Sequence, residues 1–237
     1  MKPSVSPRGE RRRISSIIGV SIVRITDLGI TDFSDAYSLQ KELAERVYRG
    51  ESENTIIITE HRPVITIGRK GSKKNIFRSH EFLSSRGIGV FDIDRGGDVT
   101  YHGPGQIVAY PIVRLENGAR DIYRFLRFLE EVGENLMAMY GLASQKIPGL
   151  TGIWIGGKKI GSIGIGVKKW VTYHGMALNI NIDLEPFSFI RPCGIEGLHM
   201  TSLKDVLGRE VDIEDAKSKL KLSFNEVSQL AEAGSKI

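Results

Sequence analysis

Cys193 is the only cysteine among 237 residues. It sits in Arg191-Pro192-Cys193-Gly194-Ile195, where proline and glycine frame a short irregular segment. A lone free cysteine is commonly a small buried hydrophobe. The Pro/Gly frame suits a presented side chain better than a packed one. A thiol attacks only as thiolate, so a cation or base must stand near it. Lys159, His102 and His174 are the candidates, and spacing alone does not choose among them.

Each candidate lies in a segment with room for a ligand. Lys158-Lys159-Ile160-Gly161-Ser162-Ile163-Gly164-Ile165-Gly166 reads as a strand with small neighbours beside the lysines. Alternation points Lys158 and Lys159 to opposite faces, so one can face solvent while the other faces a site; the plain alternative is two solvated hairpin lysines. Arg95-Gly96-Gly97-Asp98-Val99-Thr100-Tyr101-His102-Gly103-Pro104-Gly105-Gln106 holds four glycines and a proline. It reads as a loop outside the core, where backbone N–H groups can approach a ligand. It ends in no Gly-Lys-Ser/Thr, so it is not a P-loop, and its glycine spacing is not that of a dinucleotide fingerprint. His174 in Thr172–Asn179 reads as a general base or a satisfied structural histidine, and His102 poses the same choice. Arg69, Lys70, Lys73 and Lys74 make a basic loop, either a solvated one or a mobile one near an acidic partner or a phosphate. His61, His80, His102, His174 and His199 show no ligand-type pairing, so no metal is expected.

Composition narrows the class. With 41% apolar and 26% charged residues the chain reads as an ordinary soluble globular protein, of a length that fits one large domain or one domain with a small appendage, and a single domain is placed over 14–237. No apolar run spans a bilayer, so no membrane is expected. One cysteine allows no internal disulfide, which suits a reducing, cytoplasmic setting. The net charge is +5, but residues 1–13 carry +4 of it, leaving +1 for the other 224. The body therefore gives no case for nucleic acid. The basic start reads as a flexible tail. Its Arg-rich, acid-poor composition is also that of a mitochondrial transit peptide, although it forms no clear amphipathic helix.

The elements that must carry these residues follow from periodicity. Strands are expected over Ile17–Ile25, Asn54–Thr59, Val64–Ile67, Ile88–Ile93, Ile107–Val113, Thr151–Ile155, Lys159–Val167 and Trp170–Ile182. Pro111 suggests an edge strand or a bulge, and Gly156-Gly157 a hairpin turn. Helices are expected after Asp32 or Ser34 up to Gly50, over His80–Arg86, over Asp121–Tyr140 and over about Ile213–Leu230. Asp183–Ile190 reads as a short helix, and a further helical stretch follows Leu203. On the long helix Ile122, Phe125, Leu129, Val132, Leu136 and Met139 share the inward face. Hairpins outnumber βαβ units. The fold class is therefore α/β (α+β), a mixed β-sheet flanked by helices, with the glycine-rich loops gathered at one end of it.

Together the motifs resemble the lipoyl(octanoyl) transferase family. The matches, in family order, are Arg95-Gly96-Gly97-x-Val99-Thr100-Tyr101-His102-Gly103-Pro104-Gly105-Gln106, Lys159-Ile160-x-Ser162-Ile163-Gly164, His174-Gly175-x-Ala177-Leu178-Asn179, and Pro192-Cys193-Gly194 followed by Thr201-Ser202-Leu203. The resemblance spans roughly residues 20–225, and Asp98 departs from the amide or other polar residue often found there. It implies the fold of biotin and lipoate–protein ligases. It implies octanoyl transfer from acyl carrier protein to a specific lysine of lipoyl domains, those of 2-oxoacid dehydrogenase complexes and of the glycine cleavage H protein. It implies Cys193 as the acyl-thioester nucleophile and Lys159 as the cation that favours the thiolate and serves as acid and base. Substrate contacts carry over to Arg95, Gly96, Gly97, Asp98, Val99, Thr100, Tyr101, His102, Ser162, Ile163, Gly164, Gly175, Met176 and Ala177.

The chemistry fits a thiol relay. Thiolate attack on a thioester exchanges like for like, amide formation runs downhill, and no cofactor or nucleotide is needed. The N–H groups near Cys193 and Gly194 are candidate oxyanion donors, each typically worth ~3 kcal/mol. An apolar slot holding six methylenes contributes roughly 5 kcal/mol at ~0.8 kcal/mol each. Two rivals remain: an ATP-dependent lipoate or biotin ligase, and a non-catalytic module that binds acyl-carrier or lipoyl domains.

Overall fold

The structure, a computed structural model, describes residues 10–12, 23–115 and 120–234. Most of the expected tail, and residues 17–22 of the first expected strand, lie outside these. The strands are β1 (Glu10–Arg12), β2 (Val23–Thr31), β3 (Asn54–His61), β4 (Val64–Ile67), β5 (Gly89–Asp92), β6 (Val99–His102), β7 (Gln106–Ile112), β8 (Gln145–Ile147), β9 (Leu150–Ile155), β10 (Lys158–Lys168) and β11 (Val171–Asn179). The helices are α1 (Phe33–Arg49), α2 (His80–Ser85), α3 (Ile122–Ala138), α4 (Leu203–Leu207) and α5 (Ile213–Gly234), with short 3-10 turns at Lys73–Asn75, Glu185–Phe189 and Pro192–Gly194.

The main sheet runs β1-β2-β3-β7-β11-β10-β9-β8, and a small second sheet runs β5-β4-β6. β2 and β3 are parallel across the α1 crossover, and β4 and β5 are parallel across α2. The other pairings are antiparallel. Strand alternation explains the layers. Ile56 and Ile58 of β3 face one way, into a core with Phe125, Phe128 and Leu129 of α3 and Leu220 and Phe224 of α5. Ile57 faces the other way, against Ala36 and Val47 of α1. The adjacent runs β3 and β4 part company at His61-Arg62-Pro63 and enter different sheets.

Three expectations need correction. The glycine-rich 95–106 stretch is not all loop, because Val99–His102 forms β6, buried in the small sheet. Its β-branched and aromatic residues outweigh the flanking glycines. β7 is not an edge strand, since it lies between β3 and β11. Pro111 is tolerated because the paired run with β11 stops at Ala109↔Met176 and resumes only at Arg114↔Val171, so the missing N–H faces that break. Ile122 does not face the core of α3. It is exposed and overlooks a cavity.

Candidate active site

Lys159 stands near the start of β10, paired with Trp154 of β9. Segment 199–201 holds its backbone on the other edge: Lys159 N–H donates to His199 O (2.9 Å) and Thr201 N–H to Lys159 O (2.9 Å). As alternation requires, Lys158 is exposed and Lys159 is buried. Its ammonium crosses Gly152, where a Cβ would lie 2.5 Å from Lys159 Cε. Gly152 also has φ 142°, a conformation essentially reserved for glycine. The ammonium then donates to Thr151 O (3.0 Å) and to Cys193 Sγ (3.4 Å). The indole of Trp154 lies 5.1 Å below it.

Cys193 is half-buried in the Pro192–Gly194 turn with φ 57°, the left-handed region that non-glycine residues avoid. Asp98 fills the space that a Cβ on Gly194 would take. Its carboxylate accepts from Val99 N–H (2.7 Å) and Asn75 Nδ2 (2.8 Å). Gly194 N–H already donates to Arg191 O (3.0 Å) as part of the turn. It is therefore not a free oxyanion donor.

A cavity of about 680 Å³ opens beside the pair. Ile163, Met176, Ala177, Val108 and Leu126 give it apolar walls, and Arg69 and Lys70 stand on its rim. Of the substrate contacts expected from sequence, Arg95, Gly96, Gly97, Asp98, Val99, Thr100, His102, Ser162, Ile163, Gly164, Gly175, Met176 and Ala177 line it together. Tyr101 does not. Alternation along β6 turns it away from Thr100 and His102, into the small core against Phe187. The glycine-rich segments do not gather at one end of the sheet. Ser162–Gly164 and Gly175–Ala177 lie within β10 and β11, and the 95–97 segment crosses β10. Gly96 N–H donates to Ile165 O (2.8 Å), and a Cβ on Gly164 would lie 2.8 Å from Gly96 O. Gly164 is what allows that backbone to settle on the strand.

Arg95 is buried and donates to Thr66 O (2.9 Å) and Thr66 Oγ1 (3.0 Å). Burial lowers its pKa to about 10. Thr66 Oγ1 lies 3.4 Å from His102 Nε2, and His102 Nδ1 lies 2.7 Å from Gln106 Oε1. Gln106 directs its amide N–H groups to Asn179 Oδ1 (2.9 Å) and Tyr101 O (3.3 Å). Its oxygen is thus left to accept from His102 Nδ1, which makes Nε2 the bare nitrogen. Burial, with His61 next in weight, pushes His102 down to about 3. Asn179 continues the line to Thr201 O (2.9 Å), beside the Lys159 backbone.

His174 adopts φ 54°, and its Nε2 lies 2.9 Å from Asp94 Oδ1. Burial holds it down at about 4, despite that carboxylate. Burial would raise Asp94, but hydrogen bonds from His174, Tyr37 and Tyr173 outweigh it and bring it to about 2. The ring nitrogen therefore donates to Asp94 as a neutral imidazole. His102 and His174 are wall groups held by their own partners, and Lys159 is the group beside the sulfur.

Sequence reasoning missed Glu130. This carboxylate of α3 is 1% exposed and accepts from Gly152 N–H (3.0 Å), fixing the backbone that Lys159 crosses. A glutamate on the α3 face that meets the sheet was the available signal.

Residues 32–225 match the model of the lipoyl protein ligase A/B catalytic domain. The chain belongs to that family. It is 47% identical over 193 residues to an octanoyltransferase of Geobacter metallireducens, covering 81% of this chain and 87% of that one. It is also 47% identical over 202 residues to an octanoyltransferase of Caldicellulosiruptor saccharolyticus, covering 84% and 86%. A putative lipoate protein ligase from T. acidophilum shares the fold, with TM-score 0.68 and 19% identity over 86% of this chain and 83% of that one. As a family member the chain is an acyltransferase, and the reaction is octanoyl transfer in protein lipoylation. No helix among the described residues is long and apolar enough to cross a membrane.

Proposed function

We propose that the chain takes an octanoyl group from acyl carrier protein onto Cys193 and passes it to a lysine of a lipoyl domain. The observation that carries this reading is the Lys159 Nζ to Cys193 Sγ distance of 3.4 Å at the wall of an apolar cavity. A buried ammonium is costly without a counter-charge. Among the described residues its polar partners are a carbonyl and this sulfur, and a thiol that attacks as thiolate needs a cation beside it.

In the first step the thiolate attacks the carrier thioester. The carbon–sulfur bond to the carrier breaks, and the carrier thiol leaves with a proton from Lys159. In the second, neutral Lys159 takes a proton from the attacking amine as the amide forms, and Cys193 leaves as thiolate. Both charges are then restored. With Gly194 N–H committed, the Cys193 N–H is the remaining oxyanion candidate of the two. Acceptors on 2-oxoacid dehydrogenase complexes and on the glycine cleavage H protein, and a cytoplasmic setting, fit this chemistry.

Intact-mass measurement after mixing with octanoyl-acyl carrier protein, without ATP, tests the reading. Wild type gains one octanoyl group at Cys193, and Cys193→Ser gives no thioester and no turnover. A strict ATP requirement would instead indicate a ligase, and full activity in Cys193→Ser would remove the covalent relay.

A further inference from the structure

We propose that the face built from Lys73, Lys74, Phe77, Arg78 and Phe82, beside the Cys193 turn, docks an acidic domain that carries the acyl donor. The inference rests on the function proposed above. Residues 73–86 hold four Lys and Arg side chains against one carboxylate, Glu81, within a body that is nearly neutral. Phe77 and Phe82 are 49% and 37% exposed. The Arg78 guanidinium lies 5.5 Å from the ring centroids of both Phe82 and Phe189, and that of Arg191 lies 5.8 Å from Phe77. Exposed aromatics under arginines are the kind of group that anchors protein interfaces. Arg86 is committed to Glu185 (2.6 Å) and Lys73 to Asp92 (3.6 Å). Lys74, Arg78 and Arg191 have no carboxylate partner among the described residues, so their charge is available to an acidic partner.

The same face is bonded to the nucleophile's turn. Phe77 N–H donates to Phe189 O (2.7 Å), Arg191 N–H donates to Asn75 O (2.7 Å), and Ile76 bridges Ile190. Asn75 in turn donates to the Asp98 carboxylate that underlies Gly194. A domain seated here is therefore held in fixed register with Cys193.

Lys70 and Arg69 continue the basic track from this face to the cavity rim. The positive charge along that path favours approach of an acidic domain towards Cys193.

The test compares two octanoyl donors on wild type and on the Lys74→Glu, Arg78→Glu double variant, neither residue lining the cavity. One donor is octanoyl-acyl carrier protein, and the other is octanoyl-N-acetylcysteamine, a small uncharged thioester. Cys193 acylation by the carrier is expected to fall about tenfold or more at low salt, with the gap closing as salt rises. Acylation by the small thioester is expected to stay within about twofold, which also reports that the site is folded. An unchanged carrier rate, or an equal fall with both donors, overturns the proposal. So does normal acylation with slowed transfer to a lipoyl domain, which assigns the face to the acceptor. If wild-type Cys193 accepts octanoyl from neither donor, the proposed function fails first and this inference goes with it.

Discussion

At Cys193 the backbone holds a non-glycine residue in the left-handed region, at a cost of roughly 1–2 kcal/mol. The turn that imposes it also presents the sulfur to Lys159. Replacing Lys159 with methionine keeps much of the side chain's bulk and removes the charge. The expected result is a fall of about tenfold or more in the rate of Cys193 alkylation by iodoacetamide at pH 7, measured by mass. An unchanged rate would show that the ammonium does not govern the thiolate. The Pro-Cys-Gly frame made Cys193 legible as a presented thiol. Residue types alone left Lys159, His102 and His174 equal, because the choice depends on register across β9, β10 and β11. In the fold, His102 is taken by Gln106 and His174 by Asp94, and of the three it is Lys159 that reaches the sulfur.

Between elements, α3 meets the β9–β10 hairpin through Glu130, Gly152 and Lys159. Removing the carboxylate strands a buried N–H, which costs about 1–3 kcal/mol. Glu130→Ala is expected to lose most turnover and to slow Cys193 alkylation. Glu130→Gln keeps an oxygen for Gly152 N–H and is expected to stay within about threefold of wild type. Equal behaviour of the two variants would reduce Glu130 to packing. The helical period placed α3, and the strand runs and Gly156-Gly157 placed the hairpin. Which α3 residue meets Gly152 was not legible, because periodicity gives a face but not its axial offset against a sheet. The same limit explains Ile122, assigned inward by its period although the helix start overhangs the cavity.

For the whole molecule, burial is the first cause that lowers His61, His102 and His174, to about 4, 3 and 4. The unfolded chain binds their protons near pH 6.5 and the folded chain does not, so between 6.5 and 4 unfolding takes up protons. Stability is therefore expected to fall as pH drops through that window, read as a falling urea midpoint from pH 7 to pH 5. His102→Gln should flatten the slope, whereas a midpoint constant over the window would contradict neutral buried imidazoles. The mixed sheet was legible from its alternating runs. The second sheet was not, because β3 and β4 are nearly continuous in sequence and only tertiary pairing separates them. The account as a whole turns on an acyl group resting on the sulfur between two proteins. The most direct measurement is to isolate the octanoylated enzyme, free of carrier, and mix it with a lipoyl domain in the absence of ATP. The account predicts that the enzyme returns to its unmodified mass as one lysine of the domain gains the octanoyl group. An adduct that persists while the enzyme turns over with fresh carrier would contradict it.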